Sequence, residues 1–232
     1  LTLFVPSGAR ASLVGKSGAG KSTLAHLLIG VIEAKTGTVL LNDYDTRVLD
    51  LSSLRRNIGL VLPNDEIIEG TVYENIVMGR PWVSPQDVMN AIRLTHLDET
   101  FLRLPQGLQT HLISFGKNLS TGEIRRLMIA RAIVHSPRLL VLDEPFTGIE
   151  ENLKIELMQK IFDKNNPWTI IAITHDPEVV AVTDMMYVLR DGAIVEQGIP
   201  TELANDKTSE CSHLFPDLSS FLDYNLQKGQ QQ

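Results

Sequence analysis

The residues best suited to chemistry form a glycine-rich run that matches the pattern G-x-x-x-x-G-K-[ST]. Glycines in such a run let successive backbone N–H groups point at phosphates, and the N-terminus of a following helix adds positive potential. The lysine reaches the β- and γ-phosphates, and the serine hydroxyl coordinates Mg²⁺. A strand predicted to enter the run and a helix predicted to leave it disfavour the alternative of a simple glycine-rich turn. The residues assigned to nucleotide binding are Gly15, Ser17, Gly18, Ala19, Gly20, Lys21, Ser22 and Thr23.

A second candidate is the apolar run Leu139–Leu142, which is followed by two carboxylates. Asp143 at the carboxyl end of this predicted strand would hold Mg²⁺, directly or through water. Glu144 would act as the general base that orients and deprotonates an attacking water. The alternative is a polar strand end before a turn, which Pro145 favours, and the run by itself leaves both interpretations open.

The segment Asn118–Glu123 opens an apolar and basic helix and also admits two interpretations. Ser120 and Glu123 have the spacing of a capping box, in which their side chains satisfy the first amides of the helix. Helix capping alone could explain the segment. The second interpretation is that this helix N-terminus faces a phosphate that belongs to another subunit.

Short apolar runs alternate with longer helical patterns, and these elements must position the candidate residues. Runs without polar alternation are typical of strands that are buried on both faces of a parallel sheet. The spacing of Leu24, Leu27, Leu28, Val31 and Ile32 predicts one helix stripe that packs on a sheet. The alternation favours an α/β layer architecture. The predicted strands are Arg10–Val14, Thr38–Leu41, Ile58–Leu62, Leu139–Leu142, Thr169–Ile173 and Met185–Leu189.

Several segments depart from this alternation. Residues 1–15 are predicted to form a strand, a turn and a strand, and Gly37–Asp45 adds a strand and a polar turn, so that a small antiparallel sheet is expected. Residues from about 71 to 135 are predicted to be nearly all helical, with prolines as breaks. Asp191 and the glycine after it predict a hairpin. Leu218–Leu226 is predicted to form an amphipathic helix before a frayed tail.

Composition excludes several classes of protein. The 232 residues carry 21 Lys and Arg against 28 Asp and Glu, a net charge of −7, which gives no electrostatic reason to expect a nucleic-acid partner. The single cysteine cannot form an internal disulfide or build a zinc site alone, which favours a reducing compartment. No apolar run approaches the roughly 18 residues of a membrane helix, and the start lacks the pattern of a signal peptide. Since there is no starting methionine, the chain is expected to be a piece of a longer one.

Three motifs, in their order along the chain, resemble those of the ATP-binding cassette (ABC) ATPases. They are the phosphate loop, the Leu-Ser-Thr-Gly-Glu segment at 119–123 and the strand that ends in Asp143 and Glu144. His175, which follows a buried strand, resembles the switch histidine of this family, although the residues alone favour a neutral, hydrogen-bonded loop histidine. Segments 70–76 and 104–107 resemble the exporter branch, in which the cassette follows a membrane domain in one chain. The resemblance covers nearly the whole chain.

The resemblance implies an α/β fold class, with a P-loop NTPase core and a mostly parallel sheet. A small N-terminal antiparallel β subdomain and a helical subdomain inserted between core strands are expected as well. Residues 1–232 would form a single cassette. Residues 1–70 and 136–205 would be the nucleotide-binding core, 71–135 the helical signature subdomain, and 206–232 a C-terminal helix and tail.

The family mechanism implies an ATPase that is coupled to transmembrane transport and uses ATP and Mg²⁺. Ser22 and Asp143 are expected to hold the metal. Glu144, His175 and Lys21 are expected to be catalytic, with His175 on the γ-phosphate of ATP in its own subunit. The aromatic residue that stacks on adenine in this family is expected before the first residue of the chain.

The expected partners are a second cassette, identical or not, and a transmembrane domain fused upstream. Two cassettes would meet head to tail, so that Ser120 and Gly122 contact the γ-phosphate of ATP held by the partner. The loop around Pro63 to Glu69 and the helices from Thr71 to about Leu104 are expected to contact the membrane domain. The resemblance also implies a location at the cytoplasmic face of a membrane, the inner membrane if bacterial, and a soluble isolated domain.

Three segments depart from the family pattern. Pro63 stands where the family usually has a glutamine that touches Mg²⁺ and the attacking water, and proline offers neither a polar side chain nor an N–H. Asn64 could replace that glutamine only if the loop shifts by one residue. Thr121 replaces a glycine that lets the backbone approach phosphate, Glu123 brings a negative charge near it, and Glu150 stands where aspartate is common. The hypothesis is that the cassette binds ATP with Mg²⁺ well but hydrolyses it slowly, or works beside a non-identical partner.

Other functions remain as alternatives at this point. The departures keep open a degenerate regulatory cassette that hydrolyses ATP slowly or not at all. A soluble ABC protein that acts on DNA or ribosomes is less favoured, because the chain has one cassette, no long coiled coil and no evident basic surface. An unrelated kinase or GTPase is disfavoured by the combination of motifs, and the chain lacks the Asn-Lys-x-Asp motif that reads guanine.

Overall fold

The structure, a computed structural model, describes residues 1–63, 66–113, 118–219 and 222. These residues fall into two compact units, one of Leu1–Val48 with the described part of Thr169–Gln232, the other of Leu49–Trp168. The described strands are β1 (Arg10–Val14), β2 (Leu40–Leu41), β3 (Tyr44–Asp45), β4 (Ile58–Val61), β5 (Gly70–Thr71), β6 (His111–Leu112), β7 (Leu139–Asp143), β8 (Thr169–Ile173), β9 (Met185–Arg190) and β10 (Ala193–Gly198).

The described α-helices are α1 (Lys21–Leu28), α2 (Leu51–Arg56), α3 (Val72–Val77), α4 (Pro85–Leu94), α5 (Asp98–Leu102), α6 (Thr121–Ile133), α7 (Glu151–Ile161), α8 (Pro177–Ala181), α9 (Pro200–Asn205) and α10 (Glu210–Leu214). Short 3₁₀ turns form at Thr46–Val48 and Gly107–Gln109. Each of the six strands named by their bounds in the sequence analysis is present at least in part, and β1 and β8 have the predicted bounds.

The first unit is built on a sheet in which β9, β1 and β8 run parallel, while β10 is antiparallel to β9. Every residue of β1 is buried, as is β8 from its second residue onwards. The burial of β8 confirms that its apolar run is a strand buried on both faces, and β1 is buried although it contains Arg10 and Ser12. The predicted hairpin between β9 and β10 is confirmed too: Asp191 and Gly192 have φ angles of 49° and 77°, which suit a two-residue turn of the type that follows strand twist.

The predicted stripe on α1 is wrong in its last turn. The helix ends at Leu28, and Val31 and Ile32 lie beyond it with exposed fractions of 58% and 39%. Gly30 takes a left-handed conformation with φ of 67°, and the N–H groups of Gly30 and Val31 donate to the carbonyls of Leu27 and His26. This pair of bonds is a Schellman motif, which ends a helix.

The predicted N-terminal antiparallel sheet is only partly correct. Strands β2 and β3 pair as a hairpin, but the predicted strand Thr38–Leu41 is confined to its last two residues. The first predicted strand, within residues 1–5, is not a strand in the structure. Pro6 has no N–H to donate to a ladder, and its carbonyl accepts the N–H of Ala9 at 3.1 Å, which forms a turn.

In the second unit, β4 and β7 run parallel, with Val61 opposite Leu142. The prediction that residues from about 71 to 135 are nearly all helical is confirmed for α3 to α6. It is wrong for β5 and β6, which pair as a short antiparallel ladder. Arg126 on α6 donates to the carbonyls of Thr95 at 3.4 Å and His96, at the C-terminal end of α4, where a cation is favourable.

The predicted helix Leu218–Leu226 and the tail after it lie mostly outside the described residues. Leu218 and Leu222 are described, and both are buried in a core cluster of the first unit. The other members of that cluster include residues of β1, α8 and β9, together with Cys211 and Phe215. Burial raises the pKa of the Cys211 thiol to about 11.

A partly buried histidine, His135, is expected to make stability dependent on pH. The ring Nε2 of His135, just after α6, lies 3.3 Å from the carbonyl oxygen of Ile58, while its buried Nδ1 has no hydrogen-bond partner. Burial, together with the positive charge of Arg80, lowers the pKa of His135 from 6.5 to about 4. Protonation therefore favours the unfolded chain, in which the ring is solvated.

We predict that this contribution to the free energy of unfolding is lost as pH falls from about 6.5 towards 4. His135→Gln keeps a donor for Ile58 but cannot titrate, so its stability should fall less over this range. Urea unfolding of both proteins at several pH values measures the difference. His213→Gln, at an exposed position, is the control and should follow the parent. Parallel pH profiles for the parent and His135→Gln would contradict the prediction.

Candidate nucleotide site

Strand β1 leads directly into the glycine-rich loop in the first unit. A Cβ on Gly15, whose φ is 149°, would lie only 2.2 Å from the carbonyl oxygen of Leu189 on β9. Only glycine fits at that position, because the neighbouring strand passes so close. Gly20 caps α1 in a left-handed conformation and offers no side-chain hydrogen bond to it. The first amides of α1 are therefore not blocked by a capping side chain at Gly20, as an anion site at a helix N-terminus requires.

Lys21 closes this loop with its side chain. Its Nζ donates to the carbonyl oxygens of Gly15 at 2.7 Å and Lys16 at 3.1 Å, which are at the beginning of the loop. Both partners are neutral backbone carbonyls, so neither of them offsets the positive charge of the lysine. Ser22 and Thr23 follow in the first turn of α1 and are exposed.

His175 lies at the same edge of the same sheet. Strands β1 and β8 are parallel neighbours with Leu13 opposite Ile173, and the N–H of Thr174 donates to the carbonyl of Leu13 at 3.3 Å. The exposed His175 comes next in the chain. Asp176 then caps α8 by accepting the N–H of Glu178 at 2.9 Å. The structure thus brings the phosphate loop and His175 to the carboxyl ends of adjacent parallel strands, the edge at which α/β proteins bind ligands.

The two candidate carboxylates are at the end of β7 in the second unit. Asp143 is the last residue of that strand and is only 3% exposed. Glu144 is half-buried and has a positive φ of 49°, a conformation that costs energy for a residue other than glycine. Such strained positions cluster at functional sites. The parallel neighbour β4 ends at the same edge, so Leu62 and Pro63 leave the sheet beside these carboxylates.

The capping box predicted at the start of α6 is confirmed. The carboxylate of Glu123 accepts the Ser120 N–H at 2.8 Å and its hydroxyl at 2.9 Å, and the Glu123 N–H donates to that hydroxyl oxygen at 3.2 Å. Thr100 also donates to the Glu123 carboxylate, at 3.0 Å. Burial alone would raise the pKa of Glu123, but these hydrogen bonds outweigh it and the pKa is lowered. The Glu123 carboxylate is therefore bonded at the start of its own helix, to Ser120, and to Thr100 of α5.

The N-terminus of α6 packs against the turn that follows the carboxylates. A Cβ on Gly122 would lie 3.0 Å from the carbonyl oxygen of Gly148, and a Cβ on Gly148 would lie 3.1 Å from the Thr121 methyl carbon. The sequence predicts only that Thr121 replaces a glycine at which the backbone could approach phosphate closely. Its contact with Gly148 joins residues far apart in the chain, and no spacing pattern signals it.

Comparison with known proteins identifies the family. The family described as ABC transporter matches residues 1–147. The chain belongs to the ABC transporter family.

Named relatives within the family are ATP-binding proteins of export systems. The chain is 33% identical over 203 residues to a multidrug efflux ATP-binding/permease protein of Mycobacterium bovis, a match that covers 88% of this chain and 17% of that protein. It is 34% identical over 198 residues to the cyclolysin secretion/processing ATP-binding protein CyaB of Bordetella pertussis, covering 85% and 28% respectively. The chain thus spans less than a third of the length of either relative.

A solved structure has the same fold. The structure of a bacterial Atm1-family ABC exporter with ATP bound matches with a TM-score of 0.84 and 30% identity, over 90% of this chain and 37% of that chain. The α/β fold with mostly parallel strands is therefore that of an ABC exporter nucleotide-binding domain. Within the described part of the cassette, none of the helices is both long enough and apolar enough to span a bilayer.

The close contact at Gly15 generates a stability prediction. Gly15→Ala should lower the free energy of unfolding by about 2–4 kcal/mol, because the added Cβ collides with the backbone of β9 and the φ is unfavourable. Gly18→Ala is the matched control: its φ of 81° is also left-handed, but nothing lies within 4 Å of the added Cβ. That variant should lose about 1–2 kcal/mol. Equal losses in urea denaturation would contradict the steric explanation.

Proposed function

We propose that this cassette binds ATP and hydrolyses it to drive movement of a transmembrane domain in an export system. The observation that carries the proposal is the phosphate loop. Its helix begins at a glycine that has no capping side chain, and the Lys21 ammonium lies against the loop carbonyls. Both features favour a polyphosphate anion. The full set of proposed phosphate-loop ligands is the one predicted from the sequence, Gly15, Ser17, Gly18, Ala19, Gly20, Lys21, Ser22 and Thr23.

We propose that Ser22 and Asp143 hold Mg²⁺. A hydroxyl and a carboxylate are the hard oxygen donors that this ion prefers, so the residues fit the group. Bound Mg²⁺ would neutralise charge on the β- and γ-phosphate oxygens. The type and order of the two motifs, together with family membership, support this assignment.

The proposed hydrolysis uses Glu144 and His175. Glu144 accepts a proton from a water molecule, whose oxygen attacks the γ-phosphorus as the bond to the bridging β–γ oxygen breaks and ADP leaves. Lys21 and His175 stabilise the charge of the γ-phosphoryl group. Support comes from the strained backbone of Glu144 at the end of a buried strand, and from the exposed His175 beside the phosphate-loop strand. The slow turnover expected from Pro63 stays a prediction.

A second cassette completes the proposed site. Ser120 and Gly122 at the N-terminus of α6 would contact the γ-phosphate of ATP held by the partner. Gly122 has no side chain to block that approach, and Glu123 is turned back onto the helix by its hydrogen bonds. ATP would therefore lie between two helix N-termini, and hydrolysis would weaken the dimer.

We also propose a surface that contacts a membrane domain at the cytoplasmic face of a membrane. It comprises the described residues between Pro63 and Glu69 and the helices from Thr71 to about Leu104. Apolar side chains in this region are exposed: Ile68 by 40%, Met78 by 39% and Trp82 by 47%. The names of the ATP-binding/permease relatives support a fused membrane domain. The predicted subdivision, with a core of 1–70 and 136–205, a helical part of 71–135 and a C-terminal part of 206–232, remains part of this proposal.

Glu144→Gln tests the assigned general base. We predict that it slows ATP hydrolysis by about 10²–10⁴-fold while ATP affinity stays close to that of the parent, because glutamine cannot accept the proton. Phosphate release measures turnover, and titration calorimetry measures binding. Glu202→Gln, at an exposed site on α9, is the control and should keep full activity. Loss of ATP binding together with turnover would contradict the role of Glu144.

A further inference from the structure

An arginine on α6 holds the segment that leaves β4. Arg125 lies four residues after the start of the helix at Thr121. Its Nη1 donates to the carbonyl oxygen of Leu62 at 2.9 Å, and its Nη2 donates to the carbonyl oxygen of Pro63 at 3.3 Å. Two adjacent carbonyls are therefore held by the two ends of one guanidinium. This fork-shaped contact fixes direction as well as position.

The held segment lies next to the candidate carboxylates. Val61, the last residue of β4, is opposite Leu142, so Leu62 and Pro63 leave the sheet beside Asp143. Pro63 cannot donate a backbone hydrogen bond, and its side chain has no polar atom. Its backbone carbonyl is therefore the polar group through which this residue can be held, and Arg125 holds it.

The same helix holds the chain at a second place. Arg131 donates to the carbonyl of Glu66 at 3.0 Å, and to the backbone and side-chain oxygens of Asn75 at 2.8 and 2.9 Å. Asn75 in turn bonds both the N–H and the carbonyl of Ile68, at 2.9 and 3.0 Å. Two arginines of α6 are therefore bonded to described residues that follow β4, and of these two Arg125 lies closer to the N-terminus of the helix.

We propose that Arg125 is a positioning residue that couples the two ATP sites of the dimer. One end of this connection is the start of α6, where Ser120 and Gly122 face the partner's ATP. The other end is the segment beside Asp143, which serves the cassette's own ATP. This inference rests on the proposed function. A lysine has a single ammonium and cannot span two carbonyls as a guanidinium does, so Arg125→Lys should preserve the coupling only in part.

The test separates nucleotide binding from dimerisation. In the 232-residue chain carrying Glu144→Gln, which should retain ATP, the affinity of the monomer is measured with a fluorescent ATP analogue at low protein concentration. Sedimentation velocity then gives the ATP concentration at which half of the protein is dimeric. Arg125→Ala should leave monomer affinity within about twofold and raise that ATP concentration about tenfold, since charged hydrogen bonds that pre-order the interface are lost. Arg125→Lys should lie between the two.

Arg55→Ala, which removes an exposed arginine of α2, is the matched control and should behave as the Glu144→Gln parent. The inference is overturned if Arg125→Ala dimerises as the parent does, or if its monomer affinity falls as far as its dimerisation. If Arg125→Ala does not fold in a thermal melt, Arg125→Lys decides, and dimerisation equal to the parent overturns the inference. Failure of the parent itself to bind ATP or to dimerise would instead contradict the proposed function.

Discussion

To bind an anion, the phosphate loop must be held in shape while backbone amides remain available to a phosphate. Strand β9 passes against Gly15, and the Lys21 ammonium bonds two carbonyls at the loop's beginning, so neither of these contacts uses a loop amide. Within the loop, the Ala19 N–H donates to the Lys16 carbonyl at 3.2 Å. Because the partners of Lys21 are neutral, the positive charge of the lysine adds to the field of the helix N-terminus instead of cancelling against a carboxylate. The close contact with β9 fixes the backbone of the loop, and the lysine charge makes the loop positively polarised. An anion site needs both features.

The N-termini of helices α1 and α6 are capped in opposite ways. Helix α1 begins at Gly20, which has no side chain to cap it, whereas α6 begins with a complete capping box between Ser120 and Glu123. The box orders the Ser120 hydroxyl and holds the Glu123 carboxylate against the Ser120 N–H and hydroxyl. Thr121, beside it, packs its methyl group towards Gly148. The departures from the family pattern at this helix thus have local structural roles.

Sequence reasoning predicted the elements well where burial is uniform, and less well where a single backbone angle or a distant contact decides. The apolar run Thr169–Ile173 predicted its strand bounds directly, because β8 is buried on both faces from its second residue onwards. The end of α1 was missed, since the apolar spacing continues through Gly30 although its left-handed backbone stops the helix. The contacts of Arg125 were also missed. They join it to Leu62 and Pro63, which lie 63 and 62 positions earlier in the chain, and so they leave no periodic signal in the sequence.

The most direct test of the central claim is the affinity of the Lys21→Ala cassette for ATP in the presence of Mg²⁺. Titration calorimetry should show a loss of about 10- to 100-fold, which is what removal of charged hydrogen bonds to phosphate would cause. Lys35→Ala, at an exposed position in the same unit, should bind as the parent does. A folded Lys21→Ala protein with undiminished affinity for ATP would contradict the account.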